Sequence, residues 1–361
     1  MTFTEASLNH ETDHSDNRQR LETKFSLMTT RPETIAKNIL VDVMQFRRLA
    51  DSESACMAAS CQKCLEPHLS RIISAVTQNL PVLFVLPAFP GKSPNTAKVL
   101  GPLPDMAERC ALEFLQQLCD RVRRYYSPGA KIILCSDGRV FSDVVGMRDI
   151  DVTNYQEELS KMILGLGLAS ISTFNLEELF EGLSFDEMRT QLMQQFGESI
   201  DVLKASVHRG KAEACSVEDK ETHRLYCGIT RFLVEDALYP GQKQSRTALQ
   251  KECRLRSYAV IQRSKAWGEL VEKQFPDAVR LSIHPQSCGS KKLGIRLIEP
   301  DNWQTPWHGV AVQVDGRFIL LKRSQAEILG GHLVTRFGRP SHFILKDNKG
   351  LLKLQGGDCE A

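Results

Sequence analysis

Two short apolar runs, each opening into a polar loop and separated by one amphipathic segment, leave few folds open to this chain. The first, Val82-Leu83-Phe84-Val85-Leu86, is fenced by Pro81 and Pro87 and lacks the polar alternation of a strand that faces water. It reads as a strand buried on both faces. It empties into Ala88-Phe89-Pro90-Gly91-Lys92-Ser93-Pro94-Asn95, where the prolines and Gly91 forbid regular structure. Asp105 then caps a helix reaching about Tyr126, with Ala107, Cys110, Ala111, Phe114, Leu115 and Leu118 on its buried side. Ser127-Pro128-Gly129 stops it, and Ala130-Lys131-Ile132-Ile133-Leu134-Cys135 is a second buried strand. That strand runs into Ser136-Asp137-Gly138-Arg139-Val140-Phe141-Ser142-Asp143, read as a loop. Strand, helix and strand make a βαβ unit, so both loops rise from one rim of a parallel sheet. Ligands of open α/β sheets bind at that rim.

The rim residues carry usable chemistry. Lys92 and Ser93 follow a glycine, but a phosphate-binding P-loop also needs glycine six residues before its lysine, and Leu86 stands there. A lysine and a serine beside free backbone N–H groups can still hold a phosphate, and a desolvated lysine can attack a ketone. In the second loop Ser136, Asp137 and Arg139 offer a hydroxyl, an acid or base, and a fork for a phosphate or carboxylate.

Elsewhere, residues 21–50 show helical spacing in Ile35, Ile39, Val43 and Phe46. Residues 155–164, 176–204, 223–239 and 244–275 read as further helices, the last carrying Arg263, and residues 210–221 as a loop. Ile171-Ser172-Thr173-Phe174 is a short strand. In the carboxyl third, Val279-Arg280-Leu281-Ser282-Ile283-His284 alternates, so Arg280, Ser282 and His284 share one face. Residues 291–298 read as a neighbouring strand. Trp307-His308 precedes a hairpin over residues 310–323 that turns at Asp315-Gly316. The chain thus divides into a disordered tail over residues 1–20, one α/β domain over 21–335, and a carboxyl extension over 336–361.

Several function classes drop out. With 46 Lys and Arg against 44 Asp and Glu, the formal charge of +2 gives no footprint for nucleic acid or an acidic membrane. No apolar run reaches membrane-spanning length, and no signal peptide opens the chain, so a cytoplasmic protein is expected. Eleven cysteines, an odd number, sit mostly at apolar positions, as in a reduced compartment. Cys56, Cys61 and Cys64 with His68 have the density of a zinc knuckle. Neither strand is followed by a dinucleotide fingerprint, no GxSxG elbow is present, and the sole HxD triplet, His14-Ser15-Asp16, lies in the tail. What remains is a polar pocket for a phosphorylated or carboxylated small molecule.

Four stretches together point further. Residues 86–95 and 135–143, Arg280-Leu281-Ser282-Ile283-His284-Pro285-Gln286, and Thr305-Pro306-Trp307-His308-Gly309-Val310-Ala311 resemble, in this order, the motifs of the PvcA-type isonitrile (isocyanide) synthases. The family loop usually has alanine where this chain has Gly91. The resemblance spans about residues 35–333 and implies a Rossmann-like core sheet with flanking helices. It implies conversion of the α-amino group of L-tyrosine or L-tryptophan to an isonitrile. The carbon would come from the ketone of ribulose 5-phosphate, with no metal or organic cofactor, and an iron and 2-oxoglutarate oxygenase would act on the product. From side-chain chemistry, Lys92, Asp137, His284 and His308 are the expected catalytic groups. Ser93, Ser136, Arg139, Arg263, Arg280, Ser282 and Trp307 are the expected substrate-binding groups, Lys92, Ser93 and Arg280 for the phosphate and Arg139 for the carboxylate. Two other readings stand beside this one: a sugar-phosphate lyase or isomerase with a Lys92 Schiff base, and a binding protein stabilised by zinc on Cys56, Cys61, Cys64 and His68.

Overall fold

The computed structural model describes residues 31–50, 56, 59–301 and 304–346. The amino-terminal tail and the end of the carboxyl extension lie outside them. Strands β1 (Val82–Pro87), β2 (Ala130–Cys135), β3 (Ile171–Phe174), β4 (Val279–Ser282) and β5 (Leu293–Gly294) form a parallel sheet in the order β3-β2-β1-β4-β5. Val82 lies opposite Ala130 and Phe84 opposite Val279. The chain winds from β1 out to β3, then returns to the far side of β1, so the topological switch point falls between β1 and β4. This is the doubly wound α/β sheet expected from the two buried runs.

Alternation along the strands feeds two cores. Val82, Phe84, Leu86, Ile132 and Leu134 pack against α1 (Pro32–Val43), α2 (Gln62–Thr77) and α3 (Met106–Val122) through residues such as Leu40, Leu65 and Leu112. After β2 come α4 (Gly138–Val145) and α5 (Asp149–Gly165), and Tyr155 of α5 joins the same core. The other face of the sheet, with Val85 and Cys135, packs against α6 (Phe185–Phe196) and α9 (Arg246–Gln274), where Phe174 stacks on Trp267 with ring centroids 5.9 Å apart. Helices α7 (Ile200–Arg209) and α8 (Val217–Ala237) pack along α9 through Leu203, Val207, Leu233 and Val234 against Ile261 and Cys253. Each such buried aliphatic or aromatic side chain contributes about 1.5–3 kcal/mol.

A second sheet, in the order β7-β6-β9-β8, contains the expected hairpin. Strands β6 (Val310–Val314) and β7 (Arg317–Leu321) are antiparallel, and Asp315 and Gly316 at φ 48° and 76° make the turn. The helix α10 (Arg323–Ile328) follows. Strands β8 (His332–Arg336) and β9 (Arg339–Ile344) complete the sheet, with Val312 of β6 opposite Phe343 of β9. Residues 339–344, placed by sequence in the extension, are therefore part of a sheet.

Other boundaries shift for local reasons. The stretch expected as a helix over 176–204 is a single 3-10 turn, α6 and α7, interrupted at Gly182, which holds a positive φ, and at Gly197. Helix α8 starts ahead of His223 because the Ser216 hydroxyl accepts from the Asp219 N–H. Of residues 291–298 only Leu293 and Gly294 pair as a strand. The segment after β2, read as a loop, is the helix α4 from Gly138 onward.

Gly138 is there because nothing larger fits. A Cβ at this position would lie 1.9 Å from the Pro90 carbonyl oxygen and 2.7 Å from Val152. The absent side chain lets the β1 loop lie directly on the start of α4. Gly138→Ala is expected to cost at least about 1–3 kcal/mol by overpacking against backbone. Urea unfolding of the purified variant measures this, and an unchanged midpoint would contradict it.

Candidate active site

The loop after β1 is held by a buried ion cluster. Lys92 Nζ lies 2.7 Å from Glu108 Oε2 and 2.9 Å from Asp105 Oδ2, and it donates to the Pro306 carbonyl at 3.0 Å. Asp105 and Glu108 are the N-cap and third residue of α3 and form its capping box, so the lysine is bound to the start of a helix. Tyr155 donates to the other oxygen of Glu108. Burial works against the Lys92 charge, but the two carboxylates outweigh it and raise its pKa. Burial pushes Glu108 up to about 7, with Lys92 opposing and Asp105 adding to the rise. This lysine is charged and fully engaged. It offers neither the neutral amine of a Schiff base nor a free cation for phosphate.

The same loop grips the segment carrying His308. The Ser93 N–H donates to the Trp307 carbonyl at 2.8 Å, and the Ser93 hydroxyl donates to Asp236 Oδ1 at 3.0 Å. Lys98 Nζ reaches the same carboxylate oxygen at 2.6 Å. Asp236, near the carboxyl end of α8, thus ties that helix to the rim, and its Oδ2 lies 3.7 Å from His308 Nε2. The other ring nitrogen of His308, Nδ1, is 2.9 Å from the Thr305 hydroxyl, and Phe232 of α8 meets the ring edge-on at 4.8 Å. Burial pulls the His308 pKa down to about 4; Asp236 opposes this and Lys98 reinforces it. The ring is neutral at physiological pH.

Across the switch point stand the groups from β2 and β4. Asp137, at the end of β2, has Oδ1 buried without a hydrogen-bond partner. Burial raises its pKa to about 7, against the pull of its own N–H and of Arg280. Arg280 projects from the α9 face of β4, opposite Val85 of β1, and donates through Nη1 to the Gly268 carbonyl at 2.8 Å. Its Nε is buried without a partner. Desolvation lowers its pKa, with Cys135, Glu272 and Asp137 opposing. Beyond β4, His284 has an open side, yet the surrounding protein and the charges of Arg48 and Lys292 hold its pKa below the ordinary value. Charge on His284 in turn disfavours charge on His308, and charge on Arg280 disfavours charge on Lys292. Asp137, Arg280, Lys292, His284 and His308 are therefore electrostatically linked around the carboxyl ends of β1, β2 and β4. A carboxyl near neutrality, two cations and two neutral imidazoles suit proton transfer beside an anionic substrate.

The remaining expected site residues have structural partners. The Ser136 hydroxyl donates to the Phe89 carbonyl at 2.8 Å and meets Gln156, fastening β2 to the β1 loop. Arg139 turns toward the end of β3, where Nη2 bonds Glu177 at 2.6 Å and the guanidinium lies over Phe185. Arg263 joins α9 to α4 through the Val140 carbonyl and Asp143, and it borders a surface cavity of about 520 Å³ with Asp186, Arg189 and Met193. That cavity lies on the α6 flank and not at the strand ends. The Ser282 hydroxyl accepts from the His284 N–H and the Gln286 amide, shaping the turn after β4. Trp307 is buried against Phe89 with ring centroids 5.2 Å apart. Asp236, Lys98, Phe232 and Lys292 escaped the sequence reading. Asp236 meets Lys98 from 138 residues away, and no local pattern announces that.

Residues 72–334 match the family described as Pyoverdine/dityrosine biosynthesis protein. The chain is 44% identical to an L-tryptophan isonitrile synthase from Fischerella ambigua, over 87% of this chain and 93% of that one. It is 44% identical to an L-tyrosine isonitrile synthase from Xenorhabdus nematophila, over 87% and 92% of the two chains. The crystal structure of the PvcA protein from Pseudomonas aeruginosa superposes with a TM-score of 0.80 at 44% identity, covering 86% of this chain and 100% of that one. Sequence motifs, sheet order and these matches agree: the chain belongs to the pyoverdine/dityrosine biosynthesis family.

Proposed function

We propose that the protein is an isonitrile synthase, an enzyme that converts the α-amino group of L-tyrosine or L-tryptophan to an isonitrile with the carbon of the ribulose 5-phosphate ketone. The observation that carries this reading is the linked set of Asp137, Arg280, His284 and His308 at the switch point of a chain 44% identical to named isonitrile synthases. Arg280 and Lys292 suit the sugar phosphate, because two cations that disfavour each other's charge gain most from a shared anion.

Asp137, poised near neutrality, takes a proton from the nitrogen as the amine attacks the ketone and passes it to the new alkoxide, giving a carbinolamine. A second transfer through the same carboxylate, from nitrogen to the hydroxyl, breaks the C–O bond, releases water and leaves the imine. Neutral His308, fixed by Thr305, offers a hydrogen bond rather than a charge. Lys92 is a positioning residue that keeps the His308 segment on the rim. The isonitrile then passes to an iron and 2-oxoglutarate oxygenase. No helix among the described residues is long and apolar enough to cross a membrane, and we place the reaction in the cytoplasm, where the cysteines stay reduced.

Mass spectrometry of reactions containing ribulose 5-phosphate labelled at the ketone carbon, with tyrosine and tryptophan in separate tubes, tests the proposal. The expected product gains one labelled carbon, loses two hydrogens and keeps the amino-acid nitrogen. Folded protein that gives no such product with either amino acid would overturn the assignment.

A further inference from the structure

Away from the rim, four thiols converge. Cys61 is the N-cap of α2, Cys64 lies in its first turn, Cys56 sits just ahead of the helix, and Cys288 arrives from the loop between β4 and β5. Cys56 Sγ lies 3.2 Å from Cys64 Sγ and 3.9 Å from Cys61 Sγ. Cys288 Sγ lies 3.5 Å from Cys64 Sγ and 3.8 Å from Cys61 Sγ, and all four sulfurs fall within 4.8 Å of one another. Every one of these separations is far beyond a disulfide bond of about 2.05 Å. A tetrahedral zinc site with Zn–S bonds of about 2.3 Å has sulfurs about 3.8 Å apart, in the middle of the observed spacings. A packing accident would bring two thiols together more readily than four, three from the start of α2 and one from a loop at least 224 residues away.

We propose that Cys56, Cys61, Cys64 and Cys288 bind one structural zinc ion. The fourth ligand is Cys288, in place of the His68 imidazole that spacing alone suggested; His68 is buried one turn further along α2, outside the thiol group. Four thiolates close the coordination shell, so the metal has no open position for substrate and does no chemistry. Binding releases the thiol protons, and the positive end of the α2 dipole favours the resulting thiolates of Cys61 and Cys64. The ion joins the start of α2 to the loop that leaves His284 and leads through Lys292 into β5. The Gln286 carbonyl and N–H are already tied to Ala50 and Arg48 in that loop. Zinc would thus fix the outer wall of the rim without being part of it. This inference stands on the thiol geometry and does not depend on the reaction assigned to the rim.

The test begins with metal analysis of the full-length protein purified untagged under reducing conditions. One zinc per chain is expected, released when a mercurial blocks the thiols. Exchange of zinc for cobalt in the unsubstituted protein should give the intense visible bands and thiolate charge transfer of a tetrahedral four-sulfur site, a readout that needs no variant to fold. Cys61→Ser/Cys288→Ser should lose the metal and several degrees of thermal stability, whereas His68→Ala and the exposed-site control Cys227→Ser should retain it. Absence of metal, iron in its place, retention by the double variant, loss in His68→Ala, or a mass showing disulfides among these four cysteines would each overturn the proposal.

Discussion

Replacing Lys92 by alanine is expected to remove about 3–5 kcal/mol of stability, because Asp105 and Glu108 would be left buried without their cation. Against a total of about 5–15 kcal/mol for a folded domain, that is from about a fifth to nearly all of the stability. Activity would fall with it, since the loop that holds Trp307 and His308 hangs on this cluster. A second variant separates this cause from a lost substrate contact. Lys92→Met/Glu108→Gln removes the lysine together with the carboxylate that is fully buried, leaving Asp105 with its bond from the Ala107 N–H. It should recover much of the lost stability, as a buried ion pair replaced as a unit is often near neutral. Urea unfolding of the two variants measures both effects. If Lys92→Ala unfolds like the parent and merely makes no product, Lys92 is a substrate ligand and its structural role is wrong.

That cluster also marks where a linear sequence stops being informative. Val82 to Leu86 announce a two-sided strand because burial on both faces demands apolar residues at successive positions, and Asp315-Gly316 announces a hairpin because its turn demands positive φ. The rim location followed from the strand ends alone. Arg280 and His284 were legible through their alternation with Val279 and Leu281, which are buried in the core. A lysine after glycine, by contrast, looks the same whether it meets a phosphate or two carboxylates from the next helix. Arg139 and Arg263 pose the same ambiguity: an arginine near a site and an arginine bracing helices share a side chain, and only the fold shows that Glu177 and Asp143 are their partners. Cys288 lies 224 residues from Cys64, so the fourth thiol could be found only in space.

Asp137→Asn should behave in the opposite way to Lys92→Ala. It removes the ionisable group best matched to neutral pH and is expected to lower kcat by about 10²–10⁴-fold, with the fold retained. The sign of the stability term supports that separation. The folded-state pKa is raised to about 7 from the ordinary 3.8, so between these values the unfolded chain gives up its proton first. This carboxyl therefore costs stability increasingly as pH rises from about 4 to about 7, and an asparagine there escapes that cost. In the parent enzyme the deprotonated form receives the amine proton, so kcat/KM should rise with pH and level off near 7. The break should vanish in Asp137→Asn. It should move upward in Arg280→Met, because the guanidinium now favours the carboxylate. A pH–rate profile for the three proteins, each checked by its unfolding curve, decides the matter. An unchanged profile in a folded Asp137→Asn enzyme would place the proton transfer on another group, His284 being the next to substitute.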